Sequence, residues 1–427
     1  MRAGPVASTI WLAFMTLSAP AGAFFEADGD SAGVSVSANL QLSSFFADNP
    51  REPSLIYPNS LDEHTFLLGR LMADAWVGDH LALEFNLLQS LSSTTSPQFA
   101  AGAVSLVPVG RSDALRLELS NDLRASALME VDQLFVRLST DVVDLRLGRQ
   151  PVGISSTLLF TPNDFFEPFS AQTFFREFKP GVDAVRADVP FGELSQVSAV
   201  FAAGFDPENL RDDDALAGFD IDESVAIVKV QTPLGEVFDG SVLGGRVKDR
   251  SVLGFGAQGE LFEWLGVRAE GHGSLRDGDD RLVIEAAVEI DHRFESTLNL
   301  QLAYFHHGGG FSGPEGYLKA LTGEEDPGLN FGRHYLAAAA SHEVTPLLTA
   351  QAVLVGNLVD PSSLVSAALL YSVSDEASLS ITGSLPFGAQ TSTEVASALL
   401  PIPIVKEVKS EFGLFPQSLA VDIRMYF

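Results

Sequence analysis

Apolar and polar residues alternate one for one along nearly the whole of this chain, in segments of about ten residues, and that period confines it to β-structure. Between Arg281 and Arg293, Leu282, Ile284, Ala286, Val288 and Ile290 share one face. Arg281, Glu285, Glu289, Asp291 and Arg293 share the other, because a strand sends successive side chains to opposite sides. The next segment repeats the pattern, with Leu298, Leu300, Leu302 and Tyr304 against Glu295, Thr297, Asn299 and Gln301, and His292 to Ser296 reads as the turn between them. Near the N-terminus Val34, Val36, Ala38, Leu40 and Leu42 alternate with Ser35, Ser37, Asn39, Gln41 and Ser43. A soluble sandwich would turn such an oily face inward, and alternation alone does not say which face meets water.

The two ends of the chain decide that question. Arg2 is followed by an apolar run from Val6 to Leu17 and by the small-x-small site Ala21-Gly22-Ala23, so residues 1–23 are expected to be a cleaved signal peptide and the mature chain to begin at Phe24. No later run approaches the roughly 20 uninterrupted apolar residues of a helical span. The chain has no cysteine, so neither disulfides nor a covalently attached haem are available to it. At the other end Leu419, Val421, Ile423, Met425 and Phe427 alternate with Ala420, Asp422, Arg424 and Tyr426. This resembles the closing strand of outer-membrane barrels, whose terminal Phe is read by the barrel-assembly machinery. The expected fold is therefore all-β: a single transmembrane antiparallel β-barrel over residues 24–427, in the outer membrane of a Gram-negative cell. Its partners would be outer-membrane lipid and lipopolysaccharide, and the assembly machinery through Phe427.

Alternation places strands at 32–46, 64–77, 79–90, 130–139, 142–149, 181–190, 193–204, 223–232, 236–248, 250–261, 264–275, 281–292, 295–307, 331–343, 347–358, 362–373, 376–387 and 416–427. That is about 18, the even number a single-chain barrel requires, with 16 to 20 allowed because Leu115, Leu117 and Leu119 suggest a further strand or a hairpin within 91–129. Short links such as Gly78-Asp79, Pro190-Phe191-Gly192 and Ser374-Asp375 alternate with long ones, as periplasmic turns alternate with outer loops. Closure is obligatory, because an open sheet edge in hydrocarbon leaves backbone groups unpaired. A barrel of this size is too wide for its own side chains to fill and encloses a lumen.

The wet faces carry Arg70, Asp74, Glu84, Arg137, Asp144, Arg146, Arg186, Asp188, Lys229, Arg268, Glu270, Glu285, Glu289, Asp422 and Arg424, which are expected to face that lumen in pairs or in water. Over the whole chain 26 basic residues stand against 56 acidic ones, which excludes nucleic acid as a partner. The acidic excess gathers in predicted outer loops, at Asp212, Asp213, Asp214, Asp220 and Asp222, at Asp277, Asp279 and Asp280, and at Glu324, Glu325 and Asp326. A negative mouth favours cations. None of these clusters has the spacing of an EF-hand loop, so no metal site and no cofactor is expected.

The connection Pro151 to Pro180 contains Phe160, Phe165, Phe166, Phe169, Phe174, Phe175 and Phe178, and seven such rings are costly to leave in water. They can enter the lumen as a constriction, line the outer rim as a girdle, or pack a small core of the loop's own. If the loop enters, Arg149, Asp164, Glu167, Arg176, Glu177 and Lys179 are the candidates for a selective constriction. The stretch Leu145-Arg146-Leu147-Gly148-Arg149-Gln150, with Phe160-Thr161-Pro162-Asn163-Asp164-Phe165-Phe166 and Gly181-Val182-Asp183-Ala184-Val185-Arg186, resembles a strand-loop-strand signature of porin-like barrels, including those related to alginate-export barrels. The resemblance implies an outer-membrane channel of about 18 strands with an inserted loop; an acidic polysaccharide would want Arg and Lys in its path, so alginate itself does not fit.

The expected function is passive diffusion of small solutes with a mild preference for cations or neutral molecules. The alternatives are a scaffold or sheath around a partner, such as an electron-transfer conduit, and a channel for hydrophobic compounds. His306-His307 before Gly308-Gly309-Gly310 is the one place a wall-borne catalytic site suggests itself, and it reads better as the base of a loop, so no enzyme is expected.

Overall fold

The computed structural model describes residues 25–427 apart from 51–56, 58, 97–109, 167, 169, 172, 175–176, 206–217, 279 and 396–402. The predicted leader and Phe24 therefore lie outside the described residues. Eighteen strands form one closed antiparallel ring. The first half comprises Ala32–Asp48 (β1), Leu61–Val77 (β2), Leu81–Thr94 (β3), Ala125–Ser139 (β4), Asp144–Gln150 (β5), Val182–Phe191 (β6), Ser195–Phe205 (β7), Phe219–Leu234 (β8) and Phe238–Val247 (β9). The second comprises Arg250–Leu261 (β10), Leu265–Arg276 (β11), Leu282–Arg293 (β12), Asn299–His307 (β13), His334–Thr345 (β14), Leu348–Asn357 (β15), Ser362–Ser374 (β16), Ala377–Phe387 (β17) and Gln417–Tyr426 (β18).

Each strand pairs with its neighbours in chain order, and the ring closes where β18 pairs with both β17 and β1. The terminal residue completes the seam: Phe427 N–H donates to the Ala38 carbonyl at 2.8 Å and Ala38 N–H to that of Phe427 at 3.0 Å. No strand edge of the ring is left open, which is what a hydrocarbon solvent demands.

The links at the end that holds the start of β1 and the end of β18 are all short, from 346–347 to 294–298, whereas 151–181, 308–333 and 388–416 lie at the opposite end. The strand expected from residue 295 begins at Asn299, because Thr297 sits at φ 66 in a wider turn closed by Phe294 and Leu298. The ambiguous region 91–129 holds a short strand, Arg116–Asp122, forming a hairpin with the first half of β4.

The apolar face is outside. Leu83, Val136, Leu147, Val185 and Phe201 stand in one register row across β3 to β7, and all are exposed. A continuous apolar belt of this kind is untenable in water and is matched to a bilayer. Aromatics mark its borders: Trp264 and Phe294 pack edge-on to His292 at the short-turn end, and Tyr304 stacks on His334 at the other.

The inner face is not wholly polar. Val182, Ala184, Val200, Ala202, Val225, Ile227, Leu243 and Val252 form one buried cluster on β6 to β10. Ala287, Phe305, Tyr335, Ala337, Val353, Val355 and Leu364 form a second on β12 to β16. Both are covered from within the lumen by residues of the segment 151–181.

Candidate functional site

The covering segment leaves the wall at a tight corner. Gly148 adopts φ +121, where a Cβ would collide with the Leu134 carbonyl oxygen, so only glycine fits. Arg149 follows, 1 % exposed. Its guanidinium donates to Asp183 at 2.7 and 3.0 Å, to the Val131 carbonyl at 3.0 Å and to the Ser112 carbonyl at 2.8 Å. Arg111 makes a second staple, donating to the Gly181 carbonyl at 2.6 Å and pairing with Glu130 and Asp132. Both ends of 151–181 are thereby tied to the top of β4 to β6. Arg149, named above as a constriction candidate should the loop enter the lumen, has its donors taken up by Asp183 and by the Val131 and Ser112 carbonyls.

From that base the segment runs across the interior, and two wall carboxylates hold it. Glu270 on β11 accepts from the Ser155 hydroxyl and from the N–H groups of Ser156, Thr157 (3.2 Å) and Asn163 (3.1 Å). Glu289 on β12 accepts from the N–H groups of Leu158, Leu159 and Phe160 at 2.8, 2.6 and 3.3 Å, and from Gln301 at 3.1 Å. An irregular segment has no ladder to satisfy its amides, and an ionised carboxylate accepts several at once. Lys229 on β8 donates to the Ile154 carbonyl at 2.8 Å, and Asn163 to the Phe255 carbonyl of β10 at 2.9 Å. On the far side, Tyr426 of β18 donates to Glu177 at 3.1 Å, Arg70 of β2 lies 4.5 Å over the Phe178 ring, and Gln133 of β4 donates to the Lys179 carbonyl at 3.1 Å. The segment thus touches the inner wall on opposite sides of the ring.

Three of the described phenylalanines pack against the inner face of the wall. Phe160 stacks on Phe305 at 5.0 Å, Phe165 meets His272 edge-on at 5.0 Å, and Phe166 is 2 % exposed in the β6–β10 cluster. Phe169 and Phe175 lie outside the described residues, as do the candidates Glu167 and Arg176. Of the rest, Asp164 and Lys179 pair with each other within the segment, and Glu177 is exposed and bonded to Tyr426.

Among the expected lumen charges, most are neutralised along or across strands. Arg70 pairs with Asp132 at 2.6 Å, Arg186 with Asp188 at 2.8 Å, and Arg268 with Asp291. Asp74, Glu84 and Arg146 also point inward, Arg146 in direct register with Arg137 and Arg186 and 3.6 Å from Asp144. Glu270 and Glu289 do face inward but lie wholly under the segment, so they fasten it and meet no passing solute. Sequence reasoning missed Arg111 and this anchoring role.

Above the segment opens a vestibule of about 470 Å³, lined by Phe160, Phe165, Phe305, Phe412, Arg250 and Glu285 among others. Two further connections lean into it. Glu285 lies 2.9 Å from His307 Nδ1, while His307 Nε2 faces the Pro327 carbonyl at 2.8 Å. Glu411, 3 % exposed, accepts from Tyr335, from Asn357 at 2.7 Å and from the Phe331 N–H at 3.1 Å. Burial pushes the Glu411 carboxyl above the usual carboxylate range despite those donors. His306, by contrast, points outward beside His334. The two adjacent histidines therefore serve opposite faces of the wall and cannot form one catalytic site.

No protein-family model matches the sequence, and no curated protein is significantly similar to it. Solved structures do resemble its fold. Pseudomonas aeruginosa OccK9 (OpdG) superposes with a TM-score of 0.55 at 11 % identity, over 92 % of this chain and 98 % of that one. Pseudomonas aeruginosa OpdQ gives 0.51 at 9 % identity, over 94 % and 99 %, and OprD of the same organism 0.50 at 10 %, over 92 % and 95 %. These are outer-membrane porins with barrels of 18 strands, and at such identities the likeness is one of architecture.

Proposed function

We propose that this chain is an outer-membrane porin-like channel through which small solutes diffuse passively, and that residues 150–180 form its constriction. The observation that carries the proposal is the segment itself, held by Glu270 and Glu289 on one side and reaching Arg70 and Tyr426 on the other. The barrel likeness to outer-membrane porins supports the same reading. On this proposal residues 1–23 are the cleaved leader, Phe427 is read by the assembly machinery, and the protein resides in the Gram-negative outer membrane. Kinship with alginate-export barrels rests on the sequence resemblance alone.

A mild preference for cations or neutral solutes follows from the exposed carboxylates at the long-loop end, including Asp222, Asp280, Glu324 and Asp326, with the half-buried Asp220 beside them. Asp212, Asp213, Asp214 and Asp279 belong to the same acidic groups but lie outside the described residues. The sheath reading is weaker, because a segment crossing the lumen leaves little room for a threaded protein partner.

The test is single-channel conductance of the refolded mature protein in a planar bilayer under a salt gradient, repeated after deletion of 160–178. An open, cation-leaning current that grows on deletion supports the proposal. A folded barrel without current in either form sinks passive diffusion and favours a scaffold.

A further inference from the structure

The vestibule above the crossing segment is walled by phenylalanines drawn from three separate elements. Phe160 and Phe165 belong to the segment, Phe305 stands on β13, and Phe412 and Phe415 come from the connection 388–416. Phe160 is stacked on Phe305 at 5.0 Å, Phe165 meets His272 edge-on at 5.0 Å, and Phe412 and Phe415 lean together at 5.5 Å. These contacts leave ring surface uncovered, with Phe415 38 % exposed and Phe165 half-buried. Apolar surface facing water in a concave site is unfavourable, and an apolar guest relieves it. The volume of about 470 Å³ falls within the roughly 300–1,000 Å³ of small-molecule sites.

Two charged side chains give such a guest a polar end. Glu285 on β12 and Arg250 at the start of β10 both line the vestibule and lie within electrostatic range of each other. Among the described residues Glu285 is bonded through one oxygen, the one 2.9 Å from His307. Arg250 comes no closer to a carboxylate among them than 3.7 Å, at Asp249. A carboxylate oxygen accepts a hydrogen bond and a guanidinium donates one, and a hydroxyl group meets both demands at once. Asp164, also on the lining, is paired with Lys179, and Glu411 is bonded by Tyr335, Asn357 and the Phe331 N–H. Acidic and basic groups thus face the same space, so a full charge of either sign meets repulsion there as well as attraction.

We propose that the vestibule binds a neutral aromatic molecule bearing a hydroxyl, of the phenol class, its ring lying among Phe165, Phe412 and Phe415 and its hydroxyl donating to Glu285 and accepting from Arg250. The rings select an aromatic body, and the carboxylate–guanidinium pair selects a group that is donor and acceptor together. The proposal rests on the channel reading for its purpose, the capture of a solute ahead of the constriction, while binding itself is measured without conduction.

The test is a fluorine NMR titration of the refolded full barrel in detergent with para-fluorophenol, para-fluoroanisole, para-fluorobenzoate and para-fluorobenzylammonium, empty micelles serving as the blank. The phenol should saturate a single site and bind about tenfold tighter than the anisole, which lacks the donor of one charge-assisted hydrogen bond. Either charged probe should bind more weakly than the phenol. Glu285→Gln should shrink the phenol-over-anisole preference to about threefold or less, and Phe165→Ala should weaken both neutral probes by about tenfold. Heat-dependent gel mobility checks that each variant is folded, and should F165A fail to fold, Arg250→Met is read in its place, with weaker binding of the phenol expected. Equal binding of phenol and anisole to wild type, tighter binding of the benzoate, an unchanged preference in folded E285Q, or no saturable binding overturns the proposal. Planar-bilayer recording of the same barrel keeps the two readings apart. A barrel that binds the phenol without conducting sinks passive diffusion and keeps the site, whereas one that conducts without binding it sinks the site alone.

Discussion

Replacing Glu270 by Gln tests the anchoring of the crossing segment while leaving the barrel wall intact. One carboxylate oxygen receives the Ser155 hydroxyl and the Asn163 N–H, the other the N–H groups of Ser156 and Thr157. Glutamine keeps one acceptor oxygen and sets an NH₂ against the two donors at the other. Two charge-assisted bonds are lost, each contributing about 1.5–3 kcal/mol, so the local free energy of holding residues 155–163 should fall by roughly 3–6 kcal/mol before relaxation. At about 1.4 kcal/mol per factor of ten, hydrogen exchange at Ser156, Thr157 and Asn163 should accelerate by on the order of 100-fold or more. The ladders of β10 to β12 should exchange as before, because Glu270 contributes only its side chain to the segment. The channel current should become noisier, and E270Q/E289Q should approach the conductance of the 160–178 deletion. Unchanged exchange at those three amides in folded E270Q would refute the anchoring argument.

Three further outcomes follow from the same geometry. Gly148→Ala places a Cβ against the Leu134 carbonyl at φ +121, costs about 1–3 kcal/mol of backbone strain, and should lower refolding yield and urea resistance. Phe160→Ala removes a ring stacked 5.0 Å from Phe305, a loss of about 3–5 kcal/mol of packing, and should expose 151–181 to limited proteolysis without unfolding the barrel. The third concerns pH. Because burial raises Glu411 above its ordinary value, the contact of residues 411–412 with β14 and β15 is fully stable below the unfolded carboxylate value of about 4.3 and weakens as pH rises through the folded one. Exchange at residues 410–414 should therefore quicken with pH beyond the ordinary base-catalysed slope, and Glu411→Gln should abolish that excess.

The wall was legible in the sequence because its rule is local. Each residue of β12 declares its face by parity, and a one-residue error would have put Glu289 into lipid. The ring's closure was legible for the same reason at Leu419 to Phe427. Strand starts drifted where a turn residue adopts an uncommon conformation, as at Thr297. The inner apolar clusters left a readable trace that parity alone obscures: Val225-Ala226-Ile227-Val228 and Tyr335-Leu336-Ala337-Ala338 are apolar on both faces, and continuous runs of that kind are buried on both sides.

The interior was legible only in part, and the reason lies in what an irregular segment needs. Its amide donors belong to Ser156, Leu158 or Phe160 alike, so no residue type announces them. Their acceptors look, in sequence, like any other wet-face Glu. Arg149 and Asp183 stand 34 positions apart in the chain yet form one closed bond pair, and proximity of that kind belongs to the fold. The consequence reaches function: charges counted from the wet faces include many that are spent. Arg149 and Arg111 tie down the segment's ends, Glu270 and Glu289 its middle, and Asp164 and Lys179 cancel one another. What remains to act on a solute, on the proposed reading, is the exposed carboxylates at the mouth and, beyond the segment, the Arg137–Arg146–Arg186 row with its aspartate partners. On the proposed channel reading a cation drawn in by the mouth would next meet this row, whose arginines are balanced by Asp144, Asp188 and the neighbouring Glu84, so the interior would add little to the preference set at the mouth.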